Sequence, residues 1–282
     1  MTAATGPPVV SAVMPAFNSA ATIADAIRSV LDQTLDEWEL VVVDDGSTDA
    51  TADVVSSIRD PRIRLHRFPR NAGRGAARNA AVEMSRGEFV AVCDSDDVSV
   101  PHRFRTQVDF LREHPEVGVV SSQVLYLGDV DAAPGFRLPA TSREIKRRML
   151  RARSAIPNTA AMIRRDLFEK VGLYEPEFRR AQDYEFFLRA MSETEFHTLD
   201  EPLVLYRQSP ATLDFSYWRE STLYEHLAAR WHDDRRKGED PPDFETYSKR
   251  ATTRLTFWTY DLLRYLWFRA RGAAYSLRKR SS

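Results

Sequence analysis

An acidic cluster follows a short apolar run in the first half of the chain. Residues 88–93 read Glu-Phe-Val-Ala-Val-Cys, and Asp94, Ser95, Asp96 and Asp97 come directly after them. Clustered carboxylates repel one another unless a cation lies between them, and hard divalent cations such as Mg²⁺ and Mn²⁺ prefer carboxylate oxygens as ligands. The cluster therefore predicts either a divalent metal site on Asp94 and Asp96 or a solvated acidic turn that ends a strand.

A second acidic sequence ends another apolar run. Residues 38–43 read Trp-Glu-Leu-Val-Val-Val, and Asp44 and Asp45 follow them. Asp45 could accept hydrogen bonds from a nucleotide base or a ribose hydroxyl, and the alternative is a turn that caps a helix. Phe17, which follows the first apolar run and Pro15, could stack on the base or simply pack in the core. These residues suit a nucleotide-binding site.

A glycine-containing segment lies between the two acidic sequences. Residues 70–79 read Arg-Asn-Ala-Gly-Arg-Gly-Ala-Ala-Arg-Asn. The segment begins like a dinucleotide fingerprint, but Arg78 occupies the place of the third glycine and the segment follows the third strand, which argues against a dinucleotide. Backbone N–H groups at a helix start, with Arg74 or Arg78, suit a diphosphate. The alternative is that these arginines form structural ion pairs with Asp44 or Asp94.

Strands and helices alternate along the first hundred residues, which predicts parallel βαβ units and an α/β fold with helices on both faces of the sheet. The carboxyl ends of neighbouring parallel strands meet at one edge, so we expect both acidic sequences to face one crevice. Asn18 or Ser19 is predicted to cap the first helix. The predicted strands are residues 9–14, 38–43, 63–68 and 88–93. The first predicted helix follows this cap and carries Ile23, Ala26, Ile27, Val30 and Leu31 on its apolar face, and further helices are predicted at residues 50–58 and 76–84.

The pattern is looser beyond Pro101. The helix that begins near Gln182 carries Asp183 in its first turn, where this carboxylate could act as a general base or as an N-cap. Residues 141–144, Thr-Ser-Arg-Glu, have the spacing of a capping box. Further predicted helices are residues 102–113, 141–151, 166–171 and 182–191, further predicted strands are residues 117–127 and 158–164, and residues 211–282 read as helical with a break at 238–242.

Composition limits the class of protein. The chain has 282 residues, 43% of them hydrophobic, and a formal net charge of -1, so we expect one large domain or a domain and a half and no nucleic-acid partner. Cys93 is the only cysteine, which excludes an intrachain disulfide and favours a reducing compartment. The sequence has no run of about 18 uncharged apolar residues and no signal-peptide pattern at its start. We therefore expect a cytoplasmic protein.

Five motifs, in order, resemble those of family 2 glycosyltransferases with the GT-A fold. The resemblance covers about residues 8–207. By position it implies that Asp45 contacts the base, Asp94 the ribose or sugar and Asp96 the metal, and that Asp183 is the catalytic base. The motifs are Val-Met-Pro-Ala-Phe-Asn at 13–18, Val-Asp-Asp-Gly-Ser-Thr-Asp at 43–49, Asn-Ala-Gly at 71–73 with Ala-Arg-Asn at 77–79, Asp-Ser-Asp-Asp at 94–97, and Gln-Asp-Tyr-Glu at 182–185.

The resemblance implies an inverting enzyme that moves a sugar from a nucleoside-diphosphate sugar, with a UDP sugar favoured, to a hydroxyl-bearing sugar or a lipid-linked acceptor. The expected cofactor is Mn²⁺ or Mg²⁺. Gln182 and Ser209 depart from the family pattern, which often has a glutamate and a histidine at these places. The predicted donor-binding residues are Pro15, Phe17, Asp45, Arg74, Arg78, Asp94 and Ser95, the predicted metal ligands are Asp94 and Asp96, and the predicted catalytic residue is Asp183.

Two other classes of protein remain open at the level of sequence. A nucleotidyltransferase-like enzyme could use the same acidic metal site, but the chain has no lysine-containing glycine loop near the first strand. A non-catalytic domain that binds nucleotide sugars or a partner would also keep the motifs. We predict a catalytic domain over residues 1–210, with a nucleotide-binding half near 8–100 and an acceptor half near 101–210, and a C-terminal helical region over residues 211–282.

The C-terminal end is strongly basic and aromatic. Residues 249–282 contain nine basic residues and one acidic residue, a local charge of +8, among many Leu, Trp, Tyr and Phe side chains. Such a segment suits the surface of an anionic membrane. The alternative is a helix that packs on the catalytic domain or on a second subunit in a homodimer. Membrane binding would place the protein at the inner face of the membrane.

Overall fold

The apolar runs of the sequence form the strands of one sheet. Every residue of β1, β2 and β4 is buried, as expected for strands that are covered by helices on both faces. The sheet has eight strands in the order β3-β2-β1-β4-β7-β6-β8-β5. The strands are β1 Val10–Ala16, β2 Trp38–Asp44, β3 Ile63–Arg67, β4 Phe89–Val92, β5 Val98–Ser99, β6 Val117–Tyr126, β7 Met162–Arg164 and β8 Glu195–Tyr206.

The first four strands in sheet order are parallel, and the others are mixed. β1 pairs in parallel with both β2 and β4, and β3 continues the parallel sheet beyond β2. β7 is antiparallel to β4 and to β6, β8 is parallel to β6, and β5 is antiparallel to β8. The chain passes to one side of β1 with β2 and β3 and returns to the other side with β4. This reversal opens a crevice at the carboxyl ends of β1 and β4.

Helices connect and cover the strands, as the α/β prediction requires. A core cluster of buried side chains joins α1 and α4 to the sheet, with Ile27, Phe89 and Phe104 all fully buried. The capping box predicted at residues 141–144 is present at the start of α5. The helices are α1 Ile23–Leu31, α2 Thr51–Ser57, α3 Arg74–Glu83, α4 Arg103–Glu113, α5 Ser142–Met149, α6 Arg165–Val171, α7 Gln182–Ala190, α8 Phe215–Lys237 and α9 Phe244–Thr252.

The structure is a computed structural model that describes residues 6–127, 137–207 and 215–252. The chain divides into two compact units, Met1–Gln208 and Ser209–Ser282. In the second unit, α8 and α9 are separated at 238–243 as predicted, and the rings of Tyr224 and Phe244 stack with centroids 4.0 Å apart. Ser209, most of the loop at 128–140 and the basic end beyond 252 lie outside the described residues. No helix in the described ranges has the length and apolarity that a membrane span needs.

The prediction that Asn18 or Ser19 caps the first helix is wrong. The N-cap of α1 is Thr22. Asn18 has a left-handed backbone, with φ 49°, and its Oδ1 accepts a hydrogen bond from the backbone N–H of Thr48 at 2.9 Å. The backbone N–H of Ser19 donates to Oγ1 of Thr51 at 2.8 Å. Both residues therefore join the loop after β1 to the loop after β2.

The strand predicted at 158–164 is only half correct. Its first three residues, Asn158–Ala160, form a 3-10 turn, and β7 begins at Met162. The apolar pattern predicts no strand at Glu195–Tyr206, which is the longest strand in the described part of the sheet. Asp200, Glu201 and Pro202 interrupt its apolar pattern, and its pairing with β6 shifts register near Gln123. These irregularities hide the strand from a period-two search.

Candidate active site

The carboxyl ends of three parallel strands bring the predicted motifs to one edge of the sheet. Ala16 is in register with Asp44, and the N–H of Asp45 donates to the Ala16 carbonyl at 2.8 Å. On the other side of β1, the N–H of Cys93 donates to the Val13 carbonyl at 3.0 Å. The residues that follow β1, β2 and β4 therefore lie next to one another, as the sequence predicts.

Asp45 holds the glycine-containing segment in place. Its two carboxylate oxygens accept hydrogen bonds from the backbone N–H groups of Ala72 at 2.7 Å and Gly73 at 3.0 Å. Burial raises the pKa of the Asp45 carboxyl, and these two hydrogen bonds oppose that shift. Gly46 permits the contact, because its φ is 71° and a Cβ there would lie 2.5 Å from the Arg70 carbonyl carbon. Base recognition by Asp45 stays a prediction. In the structure Asp45 holds the loop at Ala72 and Gly73 in place.

Pro15 and Phe17, which are both predicted to bind the donor, differ in their exposure to solvent. Pro15 is buried within β1, whereas Phe17 is 46% exposed in the loop that follows. The alternative that Phe17 packs in the core is therefore wrong, and its ring is available for stacking. An open cavity of about 410 Å³ lies nearby, at the ends of β2 and β3, and is lined by Gly46, Phe68 and their neighbours.

Ser95 connects the acidic cluster to the start of α1. Its Oγ lies 2.8 Å from Oγ of Ser19, and Oγ1 of Thr22 donates to its carbonyl oxygen at 3.0 Å. The side chain of Ser95 is 8% exposed. These contacts position the backbone of residues 94–97, and the predicted contact of Ser95 with the donor stays a prediction.

The buried side chain of Arg78 forms an ion pair with the half-buried carboxylate of Asp94 beside the crevice. Nη2 of Arg78 lies 3.1 Å from Oδ1 of Asp94, and Nη1 donates to Oε1 of Gln182 at 3.3 Å. Arg78 is 2% exposed, and its guanidinium carbon lies 5.3 Å from the centre of the Tyr174 ring. This is the ion pair that the sequence left open as the alternative to phosphate binding. The phosphate-binding role predicted for Arg78 is untested, while Arg74, at the start of α3, lies close enough to Asp96 to affect its charge.

Asp183 lies in the first turn of α7, close to the same ion pair. Burial raises the pKa of its carboxyl, the Arg78 guanidinium opposes this shift, and the charge of Asp94 adds to it. The N-cap of α7 is Ala181, so the alternative reading of Asp183 as the helix cap is wrong. Asp94 and Asp183 thus share Arg78 as a neighbouring cation. A carboxylate whose proton affinity is raised in this way is suited to general-base work.

The acidic cluster contains two further carboxyl groups, those of Asp96 and Asp97, which are shielded from solvent. Burial and the charge of Asp94 raise the pKa of Asp96, and Arg74 partly offsets the shift. Burial and Asp94 also raise the pKa of Asp97 to about 7. Oδ1 of Asp97 accepts a hydrogen bond from the Arg207 N–H at 2.8 Å, and Nε of Arg207 donates to the Asp96 carbonyl at 2.8 Å. This contact anchors the cluster to the end of β8.

The residues fit a divalent cation that is held partly by its substrate. Mg²⁺ and Mn²⁺ are commonly bound by one or two carboxylates together with substrate phosphates. Burial and then the charge of Asp94 raise the pKa of Asp96, so a cation beside these two carboxyls would favour the ionised form of Asp96. Among the described residues, no group of three or more His, Cys, Asp or Glu side chains is arranged to hold a metal alone. Asp94 and Asp96 would thus supply part of a coordination shell.

Several residues near the site were missed by the sequence analysis. Tyr174 has a buried hydroxyl with no hydrogen-bond partner among the described residues, and the same holds for both polar atoms of the Asn158 side chain. Oγ1 of Thr159 lies 3.4 Å from the backbone N of Asp94. None of these residues lies in a motif, and each reaches the site from a distant part of the chain. Tertiary structure alone places them there.

The chain is similar in sequence to known glycosyltransferases and to polysaccharide biosynthesis proteins. The family described as Glycosyl transferase family 2 matches residues 11–172. The succinoglycan biosynthesis protein ExoO of Rhizobium meliloti is 49% identical over 102 residues, which are 36% of this chain and 29% of that protein. The Escherichia coli enzyme named UDP-Glc:alpha-D-GlcNAc-diphosphoundecaprenol beta-1,3-glucosyltransferase WfgD is 39% identical over 103 residues, 36% of this chain and 41% of that enzyme. The chain thus spans less than half the length of either relative in these matches.

A solved structure shares the fold over almost the whole chain. The mannosyltransferase PcManGT from Pyrobaculum calidifontis, in complex with GDP-Man and Mn²⁺, superposes with a TM-score of 0.60 and 21% sequence identity. The match covers 97% of this chain and 81% of that one. The fold is the GT-A fold, as the sequence predicts, with helices on an eight-stranded sheet. Because the family match covers more than half of the sequence, the chain belongs to glycosyltransferase family 2.

Proposed function

We propose that this protein transfers a sugar, with inversion, from a nucleoside-diphosphate sugar to a hydroxyl group of an acceptor in polysaccharide or glycoconjugate synthesis. One observation carries the proposal. Asp94 and Asp183, which are 89 residues apart in the sequence, both lie beside Arg78 at the carboxyl edge of the sheet. In this proposal Asp94 helps to hold the metal and Asp183 is the general base, and their shared neighbour Arg78 supports placing both roles in one site.

The donor would bind across the carboxyl ends of β1, β2 and β4. Phe17 supplies an exposed ring for stacking on the base, and the loop fixed by Asp45 supplies the adjoining wall. Arg74 and the start of α3 face the acidic cluster, where a diphosphate would meet positive charge. Asp94 and Asp96 would hold Mn²⁺ or Mg²⁺, which when bound offsets the charge that develops on the leaving diphosphate.

Asp183 would take the proton of the attacking hydroxyl. A sugar hydroxyl is a poor nucleophile near neutral pH, and a carboxylate within hydrogen-bond reach typically contributes about 10²–10⁴-fold to the rate. Asp183 is half-buried, and the partial loss of solvent that raises its pKa also increases its affinity for this proton. The charge of Arg78, which pairs with Asp94, also favours the ionised form of Asp183, the form that can accept a proton.

Our proposal for the donor nucleotide rests on what related proteins bind, and not on a particular residue of this chain. The E. coli relative uses UDP-Glc by its name, and the structural neighbour was solved with GDP-Man. We favour a UDP sugar because the E. coli relative is the more similar in sequence, at 39% identity against 21%. The same relative acts on a diphosphate-linked lipid by its name, so a lipid-linked sugar is our favoured acceptor. A membrane contact or a homodimer through the C-terminal region belongs to the same proposal.

A panel of donors tests the proposal. Purified protein is incubated with UDP and GDP sugars, with Mn²⁺, with Mg²⁺ or with EDTA, and release of the nucleoside diphosphate is measured. We expect slow metal-dependent hydrolysis of one donor, since water can replace the acceptor. NMR of the released sugar then reports the anomer, and inversion is expected. Binding of a donor with no hydrolysis or transfer under any condition would instead support a non-catalytic binding domain.

A further inference from the structure

A second cavity, away from the donor crevice, has arginine as its dominant lining residue. It has a volume of about 490 Å³ and lies between the C-terminal half of α5, the residues that follow this helix and the segment at 137–140. Five arginines line it, namely Arg137, Arg147, Arg148, Arg151 and Arg153. We call this cavity the arginine pocket. Two carboxylates, from Glu144 and Asp200, also line it, so positive charge remains in excess.

Contacts within the protein use part of this charge. Arg137 forms an ion pair with Asp200 at 2.6 Å. Arg148 donates from Nε to the Ser154 carbonyl at 2.8 Å. The carboxylate of Glu144 is engaged by the capping box at the start of α5. Arg147 and Arg151 are both exposed, and neither forms a salt bridge within 4.0 Å with another residue in the described ranges.

The helix dipole does not account for the cluster. Basic residues in the last turn of a helix are stabilised by the partial negative charge there, and Arg147 and Arg148 lie in the last turn of α5. Arg137, Arg151 and Arg153 lie outside the helix. Exposed like charges that face one cavity repel one another, and an anion in the cavity would remove this repulsion. Guanidinium groups bind phosphate oxygens in pairs, which makes arginine the usual residue of phosphate sites.

The arginine pocket adjoins the helix that carries Asp183. The hydroxyl of Tyr184, the residue after Asp183, donates to the carbonyl of Met149 at the end of α5. Leu150, between Met149 and Arg151, is 56% exposed. The end of α5 is thus attached directly to the first turn of α7. A molecule whose hydroxyl reaches Asp183 could place a neighbouring anionic group in the pocket.

We propose that the arginine pocket binds the phosphate or diphosphate group of the sugar acceptor. The inference rests on the proposed function, because it assigns the acceptor of that reaction to the class of sugar phosphate or diphosphate esters. The pocket recognises the anion, and Asp183 receives the proton of a hydroxyl on the attached sugar. Acceptors without phosphate would lack this interaction and would bind more weakly.

The first test measures anion binding without catalysis. Inorganic pyrophosphate is titrated calorimetrically, in EDTA, into the full chain, the double variant Arg147→Ala/Arg151→Ala and the donor-site variant Asp96→Ala. The matched control Arg28→Ala/Arg59→Ala removes the same charge from exposed arginines elsewhere. We expect the dissociation constant for pyrophosphate to rise about tenfold or more in the pocket variant and to stay unchanged in the other two variants. Equal affinity in the pocket variant and the full chain would overturn the inference.

The second test separates the acceptor from a membrane. With the donor found above, the Michaelis constant is compared for octyl glycosides and for the same sugars as octyl diphosphates. The pocket variant is expected to raise the constant about tenfold for the diphosphates and to leave donor hydrolysis unchanged. Sedimentation with phosphatidylglycerol vesicles that is lost in the pocket variant, with unchanged constants for the diphosphates, would overturn the acceptor assignment in favour of a lipid headgroup. Absence of both donor hydrolysis and sugar transfer in the wild type would refute the proposed function, while pyrophosphate binding would still report on the pocket.

Discussion

At the scale of single residues, the site depends on how three charges are distributed. Arg78 is buried, pairs with Asp94 and lowers the proton affinity of Asp183, while burial acts on Asp183 in the opposite direction. An isolated buried carboxylate would be costly, and a buried guanidinium without a partner equally so. Arg78 thus compensates the charge of Asp94 and acts on Asp183 as well.

Asp183→Asn is expected to leave donor binding intact and to lower the rate of transfer by about 10²-fold or more, because the amide cannot accept the proton of the acceptor. The measurement is steady-state transfer together with calorimetric affinity for the nucleotide. Asp53→Ala, which removes an exposed acid from α2, is the matched control. Full transfer activity in Asp183→Asn would place the base elsewhere, and Glu185 would be tested next.

Gly46→Ala tests the close approach that supports Asp45. The new Cβ would lie 2.5 Å from the Arg70 carbonyl carbon, and the positive φ adds backbone strain. We expect a loss of about 2 kcal/mol or more in the free energy of unfolding and weaker nucleotide binding. Gly73→Ala is the control, because it has φ 97° with nothing within 4 Å of its Cβ. Equal effects of the two substitutions on stability would show that the contact with residue 70 is unimportant.

At the scale of elements, the opposite end of the sheet is fastened by one acid. Glu39 on β2 is 2% exposed and accepts hydrogen bonds from Ser11 at 2.7 Å and from Nη2 of Arg86 at 2.7 Å. Arg64 on β3 also donates to it at 3.1 Å. This network ties β1, β2 and β3 to the loop before β4. The order of the strands at the active edge therefore depends in part on a residue far from it.

Glu39→Gln is expected to reduce the free energy of unfolding by about 2–3 kcal/mol at neutral pH. Burial raises the pKa of Glu39, but the hydrogen bonds from Arg86, Ser11 and Arg64 outweigh it and the net pKa is lowered from 4.5. The stabilisation is thus fully present above about pH 4.5, the pKa of the unfolded state. It is lost as the pH falls through the pKa of Glu39 in the folded protein, which is lower. Urea unfolding of both proteins across this range is the measurement. A difference that grows on acidification would contradict the account.

The elements also show what the sequence could and could not predict. Strands such as β2 and β4 were predictable because burial on both faces requires continuous apolar runs, and the ends of these strands then placed the two acidic motifs together. β8 was not predictable, because Pro202 and a shift in register interrupt its pattern. With β8 missing, the anchoring of Asp97 by Arg207, 110 residues away, could not be inferred. The arginine pocket likewise needed α5 and β8 to be placed first.

At the scale of the whole molecule, all eight strands belong to the first compact unit. We propose that this unit is the catalytic domain and that the second unit is a separate C-terminal helical region. A chain that ends at Gln208 is expected to unfold in one cooperative transition and to retain nucleotide affinity, because its sheet and crevice are complete. Thermal melting and calorimetry check this. A truncated chain that melts without cooperativity would mean that the C-terminal region is part of the catalytic fold.

The most direct test of the whole account is the metal dependence of nucleotide binding at the acidic edge of the sheet. UDP, and GDP in parallel, is titrated calorimetrically into wild type and Asp96→Ala, each with Mn²⁺ and with EDTA, and thermal melts confirm that the variant is folded. The account predicts that Mn²⁺ strengthens binding in the wild type and that Asp96→Ala loses this metal-dependent binding. Unchanged nucleotide affinity with unchanged metal dependence in Asp96→Ala would contradict it.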